Sequence, residues 1–209
     1  VGHDRAQLSN MALQAKEVIN CDALAVVADR GYFSGEEILS CEQADITAYV
    51  PKTQTSNNQA RGLFGKRDFI YHPEDNEYEC PAGERLIYRF TRQEDGKTQH
   101  RYWSSACPRC RLKEKCTTGV YRRVKRWEHE AVMKAMEDRV DRNPDCMRIR
   151  GSTVEHPFGT IKSWMGPVHF LMRRLEHVST EMSLHVLSYN LKRMLQIFGV
   201  GPLIAAIRG

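Results

Sequence analysis

Two carboxylates stand in short motifs whose residue types suit metal-dependent phosphate chemistry. Asp29 follows the apolar run LAVVA at 24–28, and Glu155 stands within GSTVEHPFGTIKSW at 151–164. Carboxylate oxygens are the ligands that Mg²⁺ and Mn²⁺ prefer in proteins. Two such ions can activate the attacking oxygen and stabilise the leaving oxygen of a phosphodiester. Because two carboxylates rarely hold two ions, a third acid is expected to complete such a site.

Each carboxylate also has a purely structural interpretation. Ser152 and Glu155 fit the capping box of a helix N-terminus, with Pro157 in the first turn. Asp29 precedes Gly31 in a sequence that favours a turn. A helix that starts here would carry a carboxylate, a cation and two glycines on one face: Glu155, Gly159, Lys162 and Gly166. That face could receive a metal ion and a phosphate, so both interpretations stay open.

A group of cysteines forms a second candidate metal site. Its members are Cys80, Cys107, Cys110 and Cys116. The Cys107–Cys110 pair has the C-x-x-C spacing that holds two thiolates at tetrahedral angles, and four thiolates can close a structural zinc site. Reduced structural thiols are the alternative, and His72 and His100 are spare ligands. The chain has seven cysteines and no secretory signal pattern at its start, so a disulfide framework is not expected.

The positive charge of the chain is unevenly distributed. Its net charge is +5, and the segment 109–126 is rich in lysine and arginine with Glu114 as its single acid. Such a cluster attracts polyanions, of which nucleic acid is the commonest inside cells. A solvated basic face is the alternative. No apolar run is long enough for a membrane span, so a soluble cytoplasmic protein is expected.

The order of predicted elements indicates how the acids are positioned. Residues 1–51 read as helix, strand, helix and strand, which predicts a parallel strand pair with a right-handed crossover. Asp29 would then lie at the carboxyl end of a strand buried on both faces, where open α/β sheets bind ligands. Residues 52–121 contain short aromatic strands and predict a β-rich insertion. Helical periodicity returns in 122–209, the part that carries Glu155.

The segments VVADRGYFSGEE and STVEHPFGTIKSWMG together resemble the second-Asp and final-Glu regions of DDE transposases of bacterial insertion sequences. The similar group has a cysteine-containing β-rich insertion between these acids. The resemblance implies an RNase-H-like α/β catalytic fold, Mg²⁺ or Mn²⁺, and DNA cleavage and strand transfer at the ends of an insertion sequence. It makes Asp29 the second catalytic acid and Glu155 the third, while Lys162 matches a lysine that contacts transposon-end DNA.

The sequence departs from that family at two places. The first catalytic Asp of the family lies on an opening strand upstream of residues 5–20, so an N-terminally truncated fragment without that strand is expected. In related enzymes an arginine and a tyrosine precede the glutamate at positions that here hold Gly151 and Arg148. The predicted DNA contacts are basic residues: Lys162, Arg148, Arg150, Arg122, Arg123 and Arg126.

The missing acid also favours a different class of function. A catalytically incomplete DNA-binding remnant of a transposase would keep the basic residues and the cysteines but would not cleave DNA. A two-metal repair nuclease would share the site and would not join DNA ends. The expected partners are double-stranded DNA, as transposon ends and target, and a second copy of the chain in a homodimer on paired ends. No membrane partner is expected, and the protein is predicted to associate with the bacterial nucleoid.

Overall fold

The computed structural model describes residues 4–53, 58–164 and 169–208. The chain forms two compact units, Val1–Asn143 and Pro144–Gly209. Within the described ranges, every helix is too short or too polar to cross a lipid bilayer.

The first unit begins with the predicted alternation of helix and strand. These elements are α1 (Leu8–Ile19), β1 (Leu24–Val27), α2 (Gly35–Gln43) and β2 (Ile46–Tyr49). The strands β1 and β2 are parallel, with Leu24 opposite Ile46, which confirms the predicted pairing. One prediction is wrong, because β1 is not buried on both faces and its Ala25 is exposed. Within the described residues β1 pairs only with β2, so part of its surface stays uncovered.

A first core lies between these elements and a third helix. Ile38 and Cys41 of α2 and Met136 of α3 (Glu130–Arg142) are fully buried. Trp127, which precedes α3, is also part of this core. Met133 is buried beside Met136, and Val132 and Val140 pack against this core, so successive turns of α3 contribute apolar side chains at helical spacing.

The insertion is an antiparallel sheet of five strands in the order β3-β4-β5-β6-β7. Its strands are β3 (Ile70–His72), β4 (Glu77–Glu79), β5 (Arg85–Glu94), β6 (Lys97–Trp103) and β7 (Val124–Trp127). The predicted end of the insertion at 121 is too early, because β7 pairs with β6. Val124 of β7 is buried in a second core inside this sheet, whereas Trp127 of the same strand is buried in the first core. The strand β7 thus joins the two cores of the first unit.

The regular secondary structure of the second unit is entirely helical in its described residues, and 169–174 are not helical. Its helices are α4 (Asp145–Arg150), α5 (His156–Trp164), α6 (Leu175–Phe198) and α7 (Val200–Arg208). A π-helical turn, Gly151–Glu155, connects α4 to α5. Gly199 has φ +79° and ends α6, which confirms the predicted stop. The sequence did not predict α7.

Candidate functional site

Asp29 lies directly after Ala28 at the carboxyl end of β1, as expected. Its side chain accepts a hydrogen bond of 2.8 Å from the backbone N–H of Gly31 and caps a short 3₁₀ helix, Arg30–Tyr32. A Cβ at position 31 would lie 2.9 Å from the Asp29 Oδ1 atom, so a larger residue there would have to displace this carboxylate. The turn interpretation is therefore confirmed, and the same turn fixes where this carboxylate points.

Glu155 is the last residue of the π-helical turn rather than part of a helix N-terminus. The predicted capping box is wrong, because the Ser152 hydroxyl donates to the Ile149 carbonyl at 2.9 Å. The Glu155 Oε1 atom instead accepts a hydrogen bond of 2.8 Å from Arg150. The Glu155 side chain is 67% exposed, so one of its oxygens has a cationic partner while the group stays open to solvent.

Pro157 explains why the helix widens at this point. Proline has no N–H, so it cannot bond to the carbonyl of Thr153, and its ring would clash with that carbonyl in a regular α-helix. A π-helical turn relieves the clash while the chain continues as a helix. Such turns occur frequently at functional sites, and this one carries Glu155 at its end.

Lys162 lies on α5 and borders a cavity of about 300 Å³ inside the second unit. The other titratable residues that line this cavity are His169, Glu181 and His185. Glu181 accepts hydrogen bonds from the backbone N–H groups of Leu171 at 3.0 Å and Met172 at 2.8 Å. These two donors hold the pKa of the Glu181 carboxyl below its usual value. Gly166, predicted on the Lys162 face, lies outside the described residues.

The two arginines before Glu155 have different surroundings. Arg148 is 76% exposed and lies 3.2 Å from Asp145 on the same helix. The Arg150 side chain is only 16% exposed, and it donates to Glu155. Arg148 is therefore open to an incoming phosphate, whereas Arg150 orients the glutamate.

Two of the predicted DNA-binding arginines make contacts within the first unit, Arg122 just before β7 and Arg126 on it. Arg122 donates to the carbonyls of Phe64 at 3.2 Å and Cys116 at 3.4 Å. Arg126 lies 3.7 Å from the ring centroid of Tyr71. Arg123 differs, because it is exposed at the surface beside Trp103. These contacts give Arg122 and Arg126 structural roles and leave Arg123 as the most accessible of the three.

The four predicted cysteine ligands line one cavity of about 20 Å³ in the first unit. They are Cys80, Cys107, Cys110 and Cys116. The Cys110 sulfur accepts a hydrogen bond of 3.4 Å from the Leu112 N–H. Burial raises the pKa of the Cys116 thiol. Across the described ranges, no three His, Cys, Asp or Glu side chains already have the arrangement of a metal centre.

The two spare histidine ligands lie elsewhere. His72 is 3.3 Å from Glu74 and 3.2 Å from Glu79, and His100 is 2.7 Å from the Thr91 hydroxyl. Neither histidine lines the cysteine cavity. Spacing alone could not establish that Cys80 lines the same cavity as the three later cysteines.

The comparison with protein families supplies the decisive observation. A family described as "Transposase DDE domain" matches residues 79–195, which is more than half of the 209-residue chain. The chain belongs to this family. Membership implies an RNase-H-like α/β fold, in agreement with the observed mixture of helix and sheet. No curated protein and no solved structure matches the chain.

The matched range helps to sort the candidate residues of this DDE transposase domain. It contains Glu155, Lys162 and all four cysteines of the cavity, and it begins after Asp29. Transposases of this kind act on DNA and generally use divalent metal ions. Asp29 belongs to the first unit and Glu155 to the second. The matched range therefore includes the glutamate motif and leaves Asp29 outside it.

Proposed function

We propose that this chain is part of a transposase that uses divalent metal ions to cleave DNA at the ends of an insertion sequence and to join it to a target, with Asp29 and Glu155 as catalytic carboxylates. The observation that carries the proposal is the accessible Glu155, held at the end of a π-helical turn within the matched family range. Asp29 adds a carboxylate at a strand end, which is where α/β sheets bind their ligands.

Both side chains offer the chemistry that hard cations require. Glu155 is open to solvent, and Asp29 has its orientation fixed by the Gly31 N–H. Oxygen ligands of this kind suit Mg²⁺ or Mn²⁺. When bound, such ions would polarise the scissile phosphate and lower the pKa of an attacking water. The Arg150 guanidinium holds Glu155 in place and would release Oε1 to a cation.

Basic residues near Glu155 suit the DNA backbone. Arg148 is largely exposed on α4, three residues before the π-helical turn begins at Gly151, and Lys162 follows on α5. Phosphate contacts of lysine and arginine position a protein on DNA without reading its sequence. We propose that Arg148 and Lys162 perform this role in the second unit, with Arg123 as a further contact in the insertion. Sequence preference for one terminal repeat would need additional contacts with base edges.

The first test is Mn²⁺-dependent nicking of supercoiled plasmid by the purified chain and by its Asp29→Asn and Glu155→Gln variants. The proposal expects nicking by the parent and a loss of at least about a hundredfold in each variant, as expected for removal of a group that stabilises a transition state. A matched control is Glu176→Gln, which removes a carboxylate from the first turn of α6. Equal nicking by all four proteins would show that contamination or another site is responsible.

Product analysis separates the proposed function from its rivals. Joining of a labelled 3′ end to a target plasmid supports strand transfer, whereas cutting without joining indicates a nuclease. DNA binding without any cutting indicates a catalytically incomplete remnant. Lys162→Ala should weaken binding and reduce its salt dependence by about one unit of slope. Lys134→Ala is the control, since Lys134 is an exposed lysine that pairs with Asp138 on α3.

A further inference from the structure

Four cysteines from three separate parts of the insertion meet around one small cavity. Cys80 follows β4, Cys107 and Cys110 begin and end a 3₁₀ turn, and Cys116 follows a second 3₁₀ turn, Lys113–Lys115. Folding of the sheet brings all four to the same place, although Cys80 is distant in sequence from the others. Cys80 and Cys116 also pack against the second core, so this cavity lies at the edge of that core.

The size of the cavity restricts what it can hold. Its volume is about 20 Å³, and about 10–15 Å³ is needed for a single water molecule. There is room for one ion and none for a cluster of several iron and sulfur atoms. Every cysteine in the chain is a free thiol, so none is committed to a disulfide. The space and the ligands therefore suit a single thiophilic cation.

Two neighbouring groups suit thiolates at this position. Arg122 lines the same cavity, and its Nε atom is buried without a hydrogen-bond partner in the described part of the chain. A guanidinium N–H in this situation can donate to a thiolate and offset part of the negative charge of four sulfurs. The Leu112 N–H already donates to the Cys110 sulfur at 3.4 Å. Backbone and side-chain donors to sulfur are the outer contacts that tune metal-bound thiolates.

We propose that Cys80, Cys107, Cys110 and Cys116 bind one Zn²⁺ ion as a structural site of the insertion. The four side chains line the cavity without yet meeting as a metal centre. Binding would need the four sulfurs to move closer together, and each thiol would release its proton to ligate the ion as a thiolate. The ion then ties the 3₁₀ turns of 107–116 to the end of β4.

The test measures metal in the purified full chain, prepared with zinc and without chelator. Elemental analysis should find about one zinc per chain, as in structural Cys₄ sites. Replacement by Co²⁺ should give the visible bands of tetrahedral cobalt with sulfur-to-metal charge transfer. A chelator should also lower the midpoint of thermal unfolding. None of these readouts depends on DNA cleavage.

Two double variants locate the metal. Cys107→Ser with Cys110→Ser should abolish zinc binding and the cobalt bands. Cys21→Ser with Cys146→Ser removes two partly buried cysteines outside the cavity and should keep both. Absence of zinc and of cobalt–sulfur bands in the parent would overturn the proposal, whether or not the variants fold. Retention of zinc by the 107/110 variant, or its loss from the control, would overturn it equally.

Discussion

At the scale of single residues, the contact between Gly31 and Asp29 links local sterics to the candidate site. The Asp29 carboxylate occupies the space next to Gly31, where a Cβ would lie 2.9 Å from Oδ1. Gly35 is equally crowded, because a Cβ there would lie 2.9 Å from the Trp127 ring. The neighbours differ in their freedom, since a carboxylate can rotate whereas the Trp127 ring is buried.

Alanine at Gly35 should therefore mainly lower stability, whereas alanine at Gly31 should mainly lower nicking activity. Gly35→Ala should destabilise the protein by about 1–3 kcal/mol, the usual cost of overpacking a core. Gly31→Ala should change stability by less than about 1 kcal/mol and should displace Asp29, which would reduce Mn²⁺-dependent nicking. Thermal unfolding and plasmid nicking measure the two effects. A Gly31→Ala variant with full nicking activity would show that the orientation of Asp29 does not matter.

At the scale of elements, the helical segment 145–164 is where sequence reasoning and structure differ most. Pro157 and the S-x-x-E pattern predict a helix start, because both are typical of a first turn. Local patterns do not show that α4 already runs into this segment, so the widening to a π-helical turn could not be predicted. The prediction that Glu155 is functional does not depend on the wrongly predicted helix start, because it rests on the surrounding motif.

Pro157→Ala should restore the missing N–H and favour a regular α-helix through 151–164. Helix propensity then rises by up to about 3 kcal/mol, so far-UV circular dichroism and thermal unfolding should show equal or greater helicity and stability. Nicking activity should fall, because the register of Glu155 changes. Thr160→Ala serves as a control, since it removes only a hydroxyl bond to the His156 carbonyl. Unchanged nicking activity in Pro157→Ala would show that activity does not require the π-helical turn.

The carboxylate of Glu181 should make the second unit sensitive to acid. Two backbone N–H groups of 171–172 lower its pKa in the folded chain. A group with a lowered folded pKa stabilises the fold above its unfolded pKa, which is about 4.3 for glutamate, and this contribution disappears as the pH falls through the folded value. Glu181→Gln should therefore be less stable than the parent at pH 7. The difference should shrink as the pH falls below about 4. A constant difference across pH would contradict this assignment.

At the scale of the whole molecule, the division of the chain into units could be predicted only in part. Apolar periodicity located the first helix of residues 1–51, a capping pattern located the second, and short apolar runs located the two strands. The end of the insertion was missed because VKRW, the sequence of β7, carries two charges that obscure its alternation. The structural roles of Arg122 and Arg126 could also not be predicted, because the sequence does not show whether an arginine contacts phosphate, a carbonyl or an aromatic ring.

The two cores of the first unit should unfold together, because β7 contributes to both. Ile38→Ala removes a fully buried side chain of the first core and should cost about 2–5 kcal/mol. Hydrogen exchange should then show lower protection in β5 and β6 as well as in α2. Ile70→Ala is the matched control, because Ile70 is 61% exposed and such substitutions usually change stability by less than about 0.5 kcal/mol. Protection of β5 and β6 that stays unchanged in Ile38→Ala would show that the sheet folds independently.

The burial of Cys41 makes its thiol a probe of openings of the first core. Its side chain has no exposed surface, and burial raises the pKa of its thiol to about 11. Only the thiolate reacts with an alkylating reagent, so Cys41 is inert while the core is closed. Its alkylation, followed by mass spectrometry, would therefore report openings of that core in the native protein without denaturant.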